Sequence, residues 1–570
     1  MKRSIRKFTV LLVLASLASS VAIASPAKKL TEEQRIVHVL NRLGFGARPG
    51  DVQRVKAMGL ENYINQQLAP ERIDDAVAEN KVKDLGVLNM TTAELYEKFP
   101  QPGRLLRQLQ DRGLLPKDLA EAREDQKNPR ENEAYRKIID EYYRENGLQR
   151  PQRIMAELQA SRILRAVYSE RQLQEVMVDF WTNHFNVFSG KGADRWLLPA
   201  YDRDTIRPHA LGKFSTLLQA TAQSPAMLFY LDNFQSVSPN TNRPRAQMQR
   251  QIQMPMQING PVQQPRRGIN ENYARELMEL HTLGVDGGYT QKDVQEVARC
   301  FTGWTIFQPR GGMAAVNALR SEAARRVPGT FFFNARTHDD GEKIVLGQKI
   351  PAGGGFNDGM KVLDILAHHP STAKFIATKL VRHFVSDTPP PALVKRVAEV
   401  FTRSDGDIRA TLKAIFFSNE FNSPEAYRAK VKRPFELVIS AIRTLGAETN
   451  GGPGTHQWIA RMGEPLYGFQ TPNGYSDAAE SWVNTGGLLE RMNFGLALAG
   501  NRVQGTKIDL TKVVKDNGDK SRLVDESLKT ILAGEVSAST RETLLKQLDQ
   551  SDPVAKVVGL ILGTPEFQRQ

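Results

Sequence analysis

Apolar residues recur at helical spacing along most of this chain. From Ile154 to Tyr168 an amphipathic period runs through Ile154, Leu158, Ile163 and Val167, and apolar residues return at helical spacing in many later stretches. Gly and Pro interrupt these stretches at short intervals, which is typical of short helices joined by turns. The pattern predicts a mainly α protein built as one irregular multi-helix globular domain.

One region carries a strand pattern instead. Phe331-Phe332-Phe333 and Lys343-Ile344-Val345-Leu346 flank Asp339-Asp340-Gly341, a sequence suited to a turn. Aromatic and β-branched residues favour the pleated surface of a sheet. The sequence therefore predicts one small β-hairpin made of these two segments, within an otherwise helical fold.

The densest group of polar, site-capable side chains lies in one stretch, residues 270–304. Its apolar positions predict two helices, separated by the turn Asp286-Gly287-Gly288. Thr290 followed by Asp293 resembles a capping box, with Asp in place of the usual Glu or Gln, and predicts the start of the second helix. This helix-turn-helix is the first place to look for a functional site.

Two carboxylates of this stretch suggest acid–base chemistry. On a regular helix Glu276 and Glu279 share one face, and their mutual repulsion would raise the pKa of one of them. Glu276 and His281, five positions apart, would point in different directions. With His184 and His338 arriving from elsewhere, the carboxylates form the candidate catalytic set, working as general acid and base.

The same carboxylates suggest a metal site as an alternative. The candidate ligands are Glu276, Glu279, His184 and Asp339, which combine the oxygen and imidazole donors that metals accept in proteins. No nucleophile motif, zinc-protease motif or haem-attachment sequence is present to choose between these chemistries. The sequence alone therefore implies no particular cofactor.

A structural interpretation competes with both. Ion pairs with Arg275 or Arg299 would satisfy the two carboxylates at a buried helix junction. His184 lies in the aromatic segment 179–188, where a lone histidine is more often a satisfied core residue than a ligand. The sequence leaves all three interpretations open.

Charge and composition exclude one class of partner. The formal net charge is +14, and the first 24 residues carry four of these charges. The remaining basic residues are interleaved with acidic ones and do not gather with aromatic residues on one stripe. We therefore expect no nucleic acid partner, although a basic surface favours other anions.

The N-terminus predicts export. Lys2, Arg3, Arg6 and Lys7 precede the apolar run Phe8–Leu17, and Ala22-Ile23-Ala24 matches the small-x-small pattern of a secretory cleavage site. We expect a signal peptide at 1–24, cleavage near Ala24 and a periplasmic or secreted mature chain. No later stretch is long enough to cross a bilayer, and Cys300, the only cysteine, has no partner for an intramolecular disulfide.

Composition also predicts the domain organisation. Residues 25–505 form the principal helical domain, and residues 506–570 form a helical C-terminal extension. Within the first, residues 235–268 are rich in Gln, Pro, Arg, Asn and Met and have almost no periodicity. Such a composition buries too little apolar surface to order itself, so we predict a mobile surface loop there.

Several segments, taken in order, are similar to a known bacterial family, the domain-of-unknown-function 1800 family. They are His38-Val39-Leu40-Asn41-Arg42-Leu43-Gly44-Phe45-Gly46, Phe180-Trp181 with Asn183-His184-Phe185, Leu231-Asp232-Asn233, the 270–304 stretch, His338-Asp339, and Trp482-Val483-Asn484 with Arg491-Met492-Asn493. The chain departs from the family pattern at the 235–268 loop, which looks like an insertion, and at Ser476, where a Pro is expected.

The resemblance implies an exported, largely helical protein without an assigned activity. It also implies a partner, because members are often encoded beside a protein resembling sulfatases or phosphatases. We therefore expect this chain itself to be an interaction or scaffolding partner in envelope or polysaccharide metabolism. The alternative is a carboxylate- or metal-dependent hydrolase with its site around 270–304. Convergence of the candidate side chains in one open cleft would favour the enzyme, and separate pairing of each would favour the interaction protein.

Overall fold

The computed structural model describes residues 29–114, 129–239, 268–307, 329–515, 518–548 and 553–570. The predicted signal peptide and nearly all of the predicted 235–268 loop lie outside these residues. Within them the protein is mainly α, as the apolar period predicted. No helix in the described ranges is long and apolar enough to cross a membrane.

The described residues form twenty-five α-helices. They are α1 Glu32–Arg42, α2 Asp51–Met58, α3 Leu60–Gln67, α4 Ala76–Val82, α5 Thr92–Lys98, α6 Pro102–Asp111, α7 Pro129–Glu145, α8 Gln152–Tyr168, α9 Gln172–His184, α10 Asp194–Ala200, α11 Phe214–Ala222, α12 Pro225–Tyr230, α13 Asn272–Glu276, α14 Gln291–Cys300, α15 Phe356–Ala367, α16 Pro370–Phe384, α17 Pro391–Arg403, α18 Ile408–Phe416, α19 Pro434–Thr444, α20 Pro453–Arg461, α21 Thr485–Ala499, α22 Lys520–Leu532, α23 Ala538–Gln547, α24 Pro553–Leu562 and α25 Pro565–Gln568.

The helix that begins at Asn272 changes pitch within the central stretch. It is α-helical to Glu276 and π-helical over Leu277–Thr282, where the Thr282 hydroxyl donates to Leu277 O at 2.7 Å. The following helix, α14, begins with the predicted capping box. Thr290 Oγ1 accepts from the Asp293 backbone N–H at 3.2 Å, and Asp293 Oδ2 accepts from the Thr290 N–H at 2.9 Å.

The six strands described pair into three small antiparallel sheets. They are β1 Trp304–Ile306, β2 Phe331–Phe333, β3 Lys343–Val345, β4 Gln348–Ile350, β5 Glu448–Thr449 and β6 Thr506–Lys507, with β1 on β2, β3 on β4 and β5 on β6.

The predicted hairpin between β2 and β3 is wrong. β2 pairs with β1, which precedes it in the chain, and β3 turns directly into β4. Leu346 and Gly347 both have positive φ, 48° and 75°, which is the signature of a type I′ two-residue hairpin turn. The turn therefore lies after Val345 and not at Asp339-Asp340-Gly341. A short 3₁₀ helix, Ala335–Thr337, follows β2 in the chain.

The C-terminal helices share the core of the principal domain. Val557, Ile561 and Phe567 belong to the same apolar cluster as the buried residues of α8 and α19. Helices α21 and α24 approach so closely that a Cβ on Gly495 would lie 2.6 Å from Gly559 O.

The last residue of the chain is tied to the strand-like segment before α19. Gln570 N–H donates to Lys430 O at 2.9 Å, and Lys430 N–H donates to Gln570 O at 3.2 Å. The side chain of Lys430 reaches in another direction, to Asp387 and to Asp477 O at 2.6 Å. Lys430 thus links the end of the chain to the loop around Asp477.

A network of buried ion pairs joins α8, α9 and α19. Arg433 contacts Asp179 and donates to Glu464 at 2.6 Å, and Arg162 donates to Asp179 at 2.8 Å. All four side chains are buried. Burial raises the pKa of Glu464 to about 7, against the charge of Arg433, which lowers it. Each charge of this network faces an opposite one, as buried charges require.

Candidate functional site

A cleft of about 890 Å³ opens between α16 and the loop 463–482. From α16 it receives Lys379 and Arg382, and from the loop it receives aromatic, amide and hydroxyl side chains. A cleft of this size is in the range of ligand sites, which run to about 1,000 Å³. It is therefore the candidate site of the described structure.

The loop is held in place by α9. Asn183 Oδ1 accepts from the Tyr475 backbone N–H at 2.7 Å, and Asn183 Nδ2 donates to Tyr475 O at 2.8 Å. Asn186 donates to Phe469 O and Thr471 O in the same way, at 3.0 and 2.8 Å. The polar side of the aromatic segment thus forms the support of the cleft.

Gly474 is required where the loop meets α9. Its φ is 71°, and a Cβ there would lie 2.2 Å from Asn183 O. Glycine alone adopts this backbone conformation without strain and leaves room for so close an approach.

The two cations of the cleft lack ionic partners. Neither Lys379 nor Arg382 forms a hydrogen bond or an ion pair with any residue that the structure describes; the nearest aromatic contact of Lys379 is the Phe375 ring, 5.7 Å from Nζ to centroid. Burial lowers the pKa of Lys379, the charge of Arg382 lowers it further, and that of Asp477 opposes both. The two residues lie three positions apart on α16, so their side chains are neighbours.

The acids of the cleft wall, in contrast, are largely neutralised inside the protein. Asp387 contacts Lys430 and accepts from the Ala479 N–H at 2.9 Å. Asp477 Oδ1 lies 3.1 Å from His383 Nδ1. Burial by itself would raise the pKa of Asp477, but this contact and the nearby cations hold it well below its usual range. Only Glu480, exposed at the rim, is an acid of the lining without such a partner among the described residues.

Aromatic rings form the opposite wall. The ring centroids of Phe469 and Tyr475 are 4.5 Å apart, and those of Tyr475 and Trp482 are 5.8 Å apart. Tyr475 donates its hydroxyl to Pro465 O at 2.8 Å, and Trp482 donates its indole N–H to Ser476 O at 2.8 Å. The polar atoms of these two rings are thus engaged within the wall.

His184 lies behind the cleft and does not face it. It is buried, and its Nε2 is 3.1 Å from His281 O. Burial, together with the charge of Lys379, lowers its pKa well below the usual value, so the ring is neutral. Phe375 packs on it at 6.2 Å between centroids. His184 therefore joins the aromatic segment to the central stretch as a core residue.

Glu276 and Glu279 are a predicted pair of site residues that lie close enough for their charges to interact. The Tyr289 hydroxyl donates to Glu279 at 3.1 Å. Glu276 is half-buried and makes no hydrogen bond or ion pair within the described part of the chain. Burial and the charge of Glu279 raise the pKa of Glu276, which agrees with the repulsion expected from the sequence. The π-helical pitch begins at Leu277, so face assignments based on a regular helix do not apply beyond it.

The proposed arginine partners of these carboxylates pair elsewhere. Arg275 donates to Gln291 at 2.9 Å and lies 3.4 Å from Glu271. Arg299 donates to both oxygens of Asp339, at 3.0 and 3.1 Å. The predicted pairing of Arg275 or Arg299 with Glu276 and Glu279 is therefore wrong.

His338 belongs to a separate buried cluster. Its Nδ1 lies 2.8 Å from Thr302 O and its Nε2 lies 3.1 Å from Asp358, which also contacts Lys343. Since Asp339 is held by Arg299, both of these predicted residues fasten the β3–β4 hairpin to α14 and α15. Among the described residues, no three His, Cys, Asp or Glu side chains lie together as a metal ion would require.

Sequence reasoning missed the residues that line the cleft. The loop 468–475 stands out as extended in the sequence, and Lys379 and Arg382 lie one helical turn apart on a predictable helix. These signals are common on solvated helices, and the loop and the helix are about ninety positions apart in the chain. Only the fold shows that they face each other.

The fold and the cleft define a class: a mainly helical protein with a cation-lined cleft that is supported by its aromatic segment. A family model described as "Protein of unknown function (DUF1800)" matches residues 38–569, and the chain belongs to this family. Comparison with curated proteins found no match, and neither did comparison with solved structures.

Proposed function

We propose that this protein is an exported interaction protein and that the cleft is its recognition surface. Its partner is a sulfatase- or phosphatase-like hydrolase of envelope or polysaccharide metabolism, encoded nearby. The observation that carries the proposal is the pair of cations, Lys379 and Arg382, which face the cleft without ionic partners. Cations without an ion-pair partner at a concave surface favour an anionic partner group, because no acid of the described residues lies within ion-pair distance of them.

The environments of three predicted site residues, His184 and His338 of the catalytic set and Asp339 of the metal set, support an interaction protein over an enzyme. His184 and His338 are buried and bonded to backbone carbonyls, and Asp339 is held by an arginine. None of the three lines the cleft. Separate pairing of this kind is what a structural role produces.

Export completes the proposal. The N-terminal pattern supports a signal peptide removed near Ala24 and a periplasmic or secreted mature chain. The mass of the protein recovered from the periplasm or medium measures the cleavage position directly. A chain found only in the cytoplasm with its first 24 residues intact would contradict this part.

The test of the interaction uses purified mature chain and the neighbouring hydrolase. Isothermal titration calorimetry measures binding for the parent, for Lys379→Gln/Arg382→Gln, and for Lys395→Gln/Arg403→Gln. The last is a matched control, because Lys395 and Arg403 are exposed on α17, outside the cleft, and give the same change in net charge. We expect the cleft variant to lose at least about tenfold in affinity and the control less than about twofold. Equal affinities for parent and cleft variant would refute the role of the cleft.

A second candidate function, a carboxylate-dependent hydrolase, has one observation in its favour. Glu276 is half-buried with a raised pKa, while Glu279 accepts a hydrogen bond from Tyr289. A half-buried carboxyl with a raised pKa, next to a second carboxyl, is an arrangement that suits a general acid.

The hydrolase is tested by assay on glycoside, sulfate-ester and phosphate-ester substrates. Glu276→Gln should abolish any turnover, and Glu425→Gln, an exposed control, should not change it. Turnover that survives Glu276→Gln would rule out this pair as the catalytic centre.

A further inference from the structure

We propose that the cleft binds an acidic oligosaccharide, one whose sugar units carry carboxylate or sulfate groups. The proposal rests on the proposed function, because it names the ligand class of the same cleft. Lys379 and Arg382 hold the anionic group, and the loop 463–482 holds the sugar rings.

Charge gives the first part of this inference. The guanidinium of Arg382 offers paired N–H donors that match the oxygens of a carboxylate or a sulfate, and the ammonium of Lys379 adds a second charge one helical turn away. Asp387 contacts Lys430, and Asp477 Oδ1 lies 3.1 Å from His383 Nδ1, so both acids have partners inside the protein and the two cations dominate the inner part of the cleft. An anion bound there would remove the repulsion between them.

The loop gives the second part. Phe469 and Tyr475 are half-buried, so their rings present apolar surface to the cleft. The rim beside them is polar, with exposed Gln470, Asn473 and Ser481. A sugar ring has an apolar C–H face and a hydroxyl edge, and aromatic rings beside amides and hydroxyls suit both. An acyl chain, in contrast, would find no hydrogen-bonding use for this polar rim, because it carries no polar groups.

Glu480, the acid at the rim, predicts the direction in which a substitution should change ligand affinity. Glu480 lines the cleft and is exposed, without an ion pair among the residues described. If the ligand is anionic, Glu480 repels it, and Glu480→Gln should tighten binding about two- to threefold at low salt. A cationic or neutral ligand would not bind more tightly to this variant.

The experiment is calorimetric titration of the mature chain with three tetrasaccharides of matched length: galacturonate, sulfated galactose and neutral galactose units. We expect at least one acidic tetrasaccharide to bind at least tenfold more tightly than the neutral one, and the two acidic ligands to show which anion is preferred. Lys379→Gln/Arg382→Gln should lose at least tenfold in affinity, and Lys395→Gln/Arg403→Gln less than twofold. Equal binding of acidic and neutral ligands, equal losses in both variants, or no binding would each overturn the inference.

A second measurement needs no variant. Lys379 lines the open cleft, so an amine-acetylating reagent should reach it, and peptide mass spectrometry reports the extent of its modification. The acidic tetrasaccharide should protect Lys379 and leave Lys395 unprotected, and absence of protection would contradict the proposed contact.

The two proposals can fail separately. If the saccharide does not bind but the hydrolase binds in a cleft-dependent way, this inference alone is refuted. Saccharide binding without hydrolase binding would refute the proposed partner instead.

Discussion

The buried ion network and the cleft use the same residue types in opposite ways. Around Arg433 each cation faces an acid, with Asp179 and Glu464 on two sides. Along the cleft, Lys379 and Arg382 face no acid of the described structure within ion-pair distance, although Asp477 lies near enough for its charge to influence Lys379. A charge paired inside the protein stabilises the fold, and a charge left unpaired at a concave surface is available to a ligand.

The largest effect should come from breaking the buried network. Arg433→Met leaves Asp179 and Glu464 without their shared partner, and we expect a loss of about 3–5 kcal/mol in the free energy of unfolding. Urea denaturation followed by circular dichroism measures it. Arg403→Met, an exposed control on α17, should change the same quantity by less than about 0.5 kcal/mol. Similar values for the two variants would show that the network contributes no more than a surface charge.

A smaller effect should follow from detaching the cleft loop. Gly474→Ala combines an unfavourable φ with a clash against Asn183 O, so we expect a loss of about 2 kcal/mol and weaker ligand binding. Gly353→Ala is the matched control, because Gly353 has a φ of 80° and nothing within 4 Å of a built Cβ. It should lose about 1 kcal/mol through backbone strain alone. If Gly353→Ala proves as destabilising as Gly474→Ala, the close approach to Asn183 has no energetic weight.

Lowering the pH should reduce the free energy of unfolding through Asp477, by an amount no larger than that expected for Gly474→Ala. Against the effect of burial, the folded-state pKa of Asp477 is held well below the usual aspartate value by His383, Arg433 and Lys430, so its stabilising contribution is present above about pH 4 and is lost as the pH falls below it. We expect unfolding free energy to decline between pH 5 and pH 3 less steeply in Asp477→Asn than in the parent, by about 1 kcal/mol over that interval. Urea titrations at each pH measure both slopes. Parallel slopes would mean that Asp477 titrates alike in the folded and unfolded chain.

The smallest effect on the free energy of unfolding should come from replacing Lys379, one of the two cations of the cleft. Lys379→Met removes a charge that has no ionic partner, so the free energy of unfolding should stay within about 0.5 kcal/mol of the parent. Thermal unfolding at neutral pH tests this. A large destabilisation would assign Lys379 to the fold and weaken the comparison from which the proposals follow.

Local signals in the sequence were read correctly where neighbours in the chain decide the structure. The capping box at Thr290 and Asp293 is confirmed, since both of its hydrogen bonds lie within four residues. The proximity of Glu276 and Glu279 also follows from local spacing. The π-helical pitch from Leu277 was beyond prediction, because its apolar pattern is that of an ordinary amphipathic helix.

Signals that depend on distant contacts were misread or missed. The strand Phe331–Phe333 has the right composition, but its partner is Trp304–Ile306 and not the segment that follows it. Lys379 and the loop around Tyr475 carry ordinary surface residues, and only tertiary packing on Asn183 turns them into one cleft. Propensity and periodicity describe single elements, whereas a site of this kind arises between them.

The attachment of the last residue to Lys430 has a practical consequence for anyone handling this protein. Lys430 holds Gln570 through its backbone and Asp387 and Asp477 through its side chain, so the tail and the cleft wall share one anchor. Removal of Arg569 and Gln570 should therefore loosen the wall from a distance. Preparations in which some molecules lack these two residues should show mixed ligand affinities, although their cleft residues are unchanged.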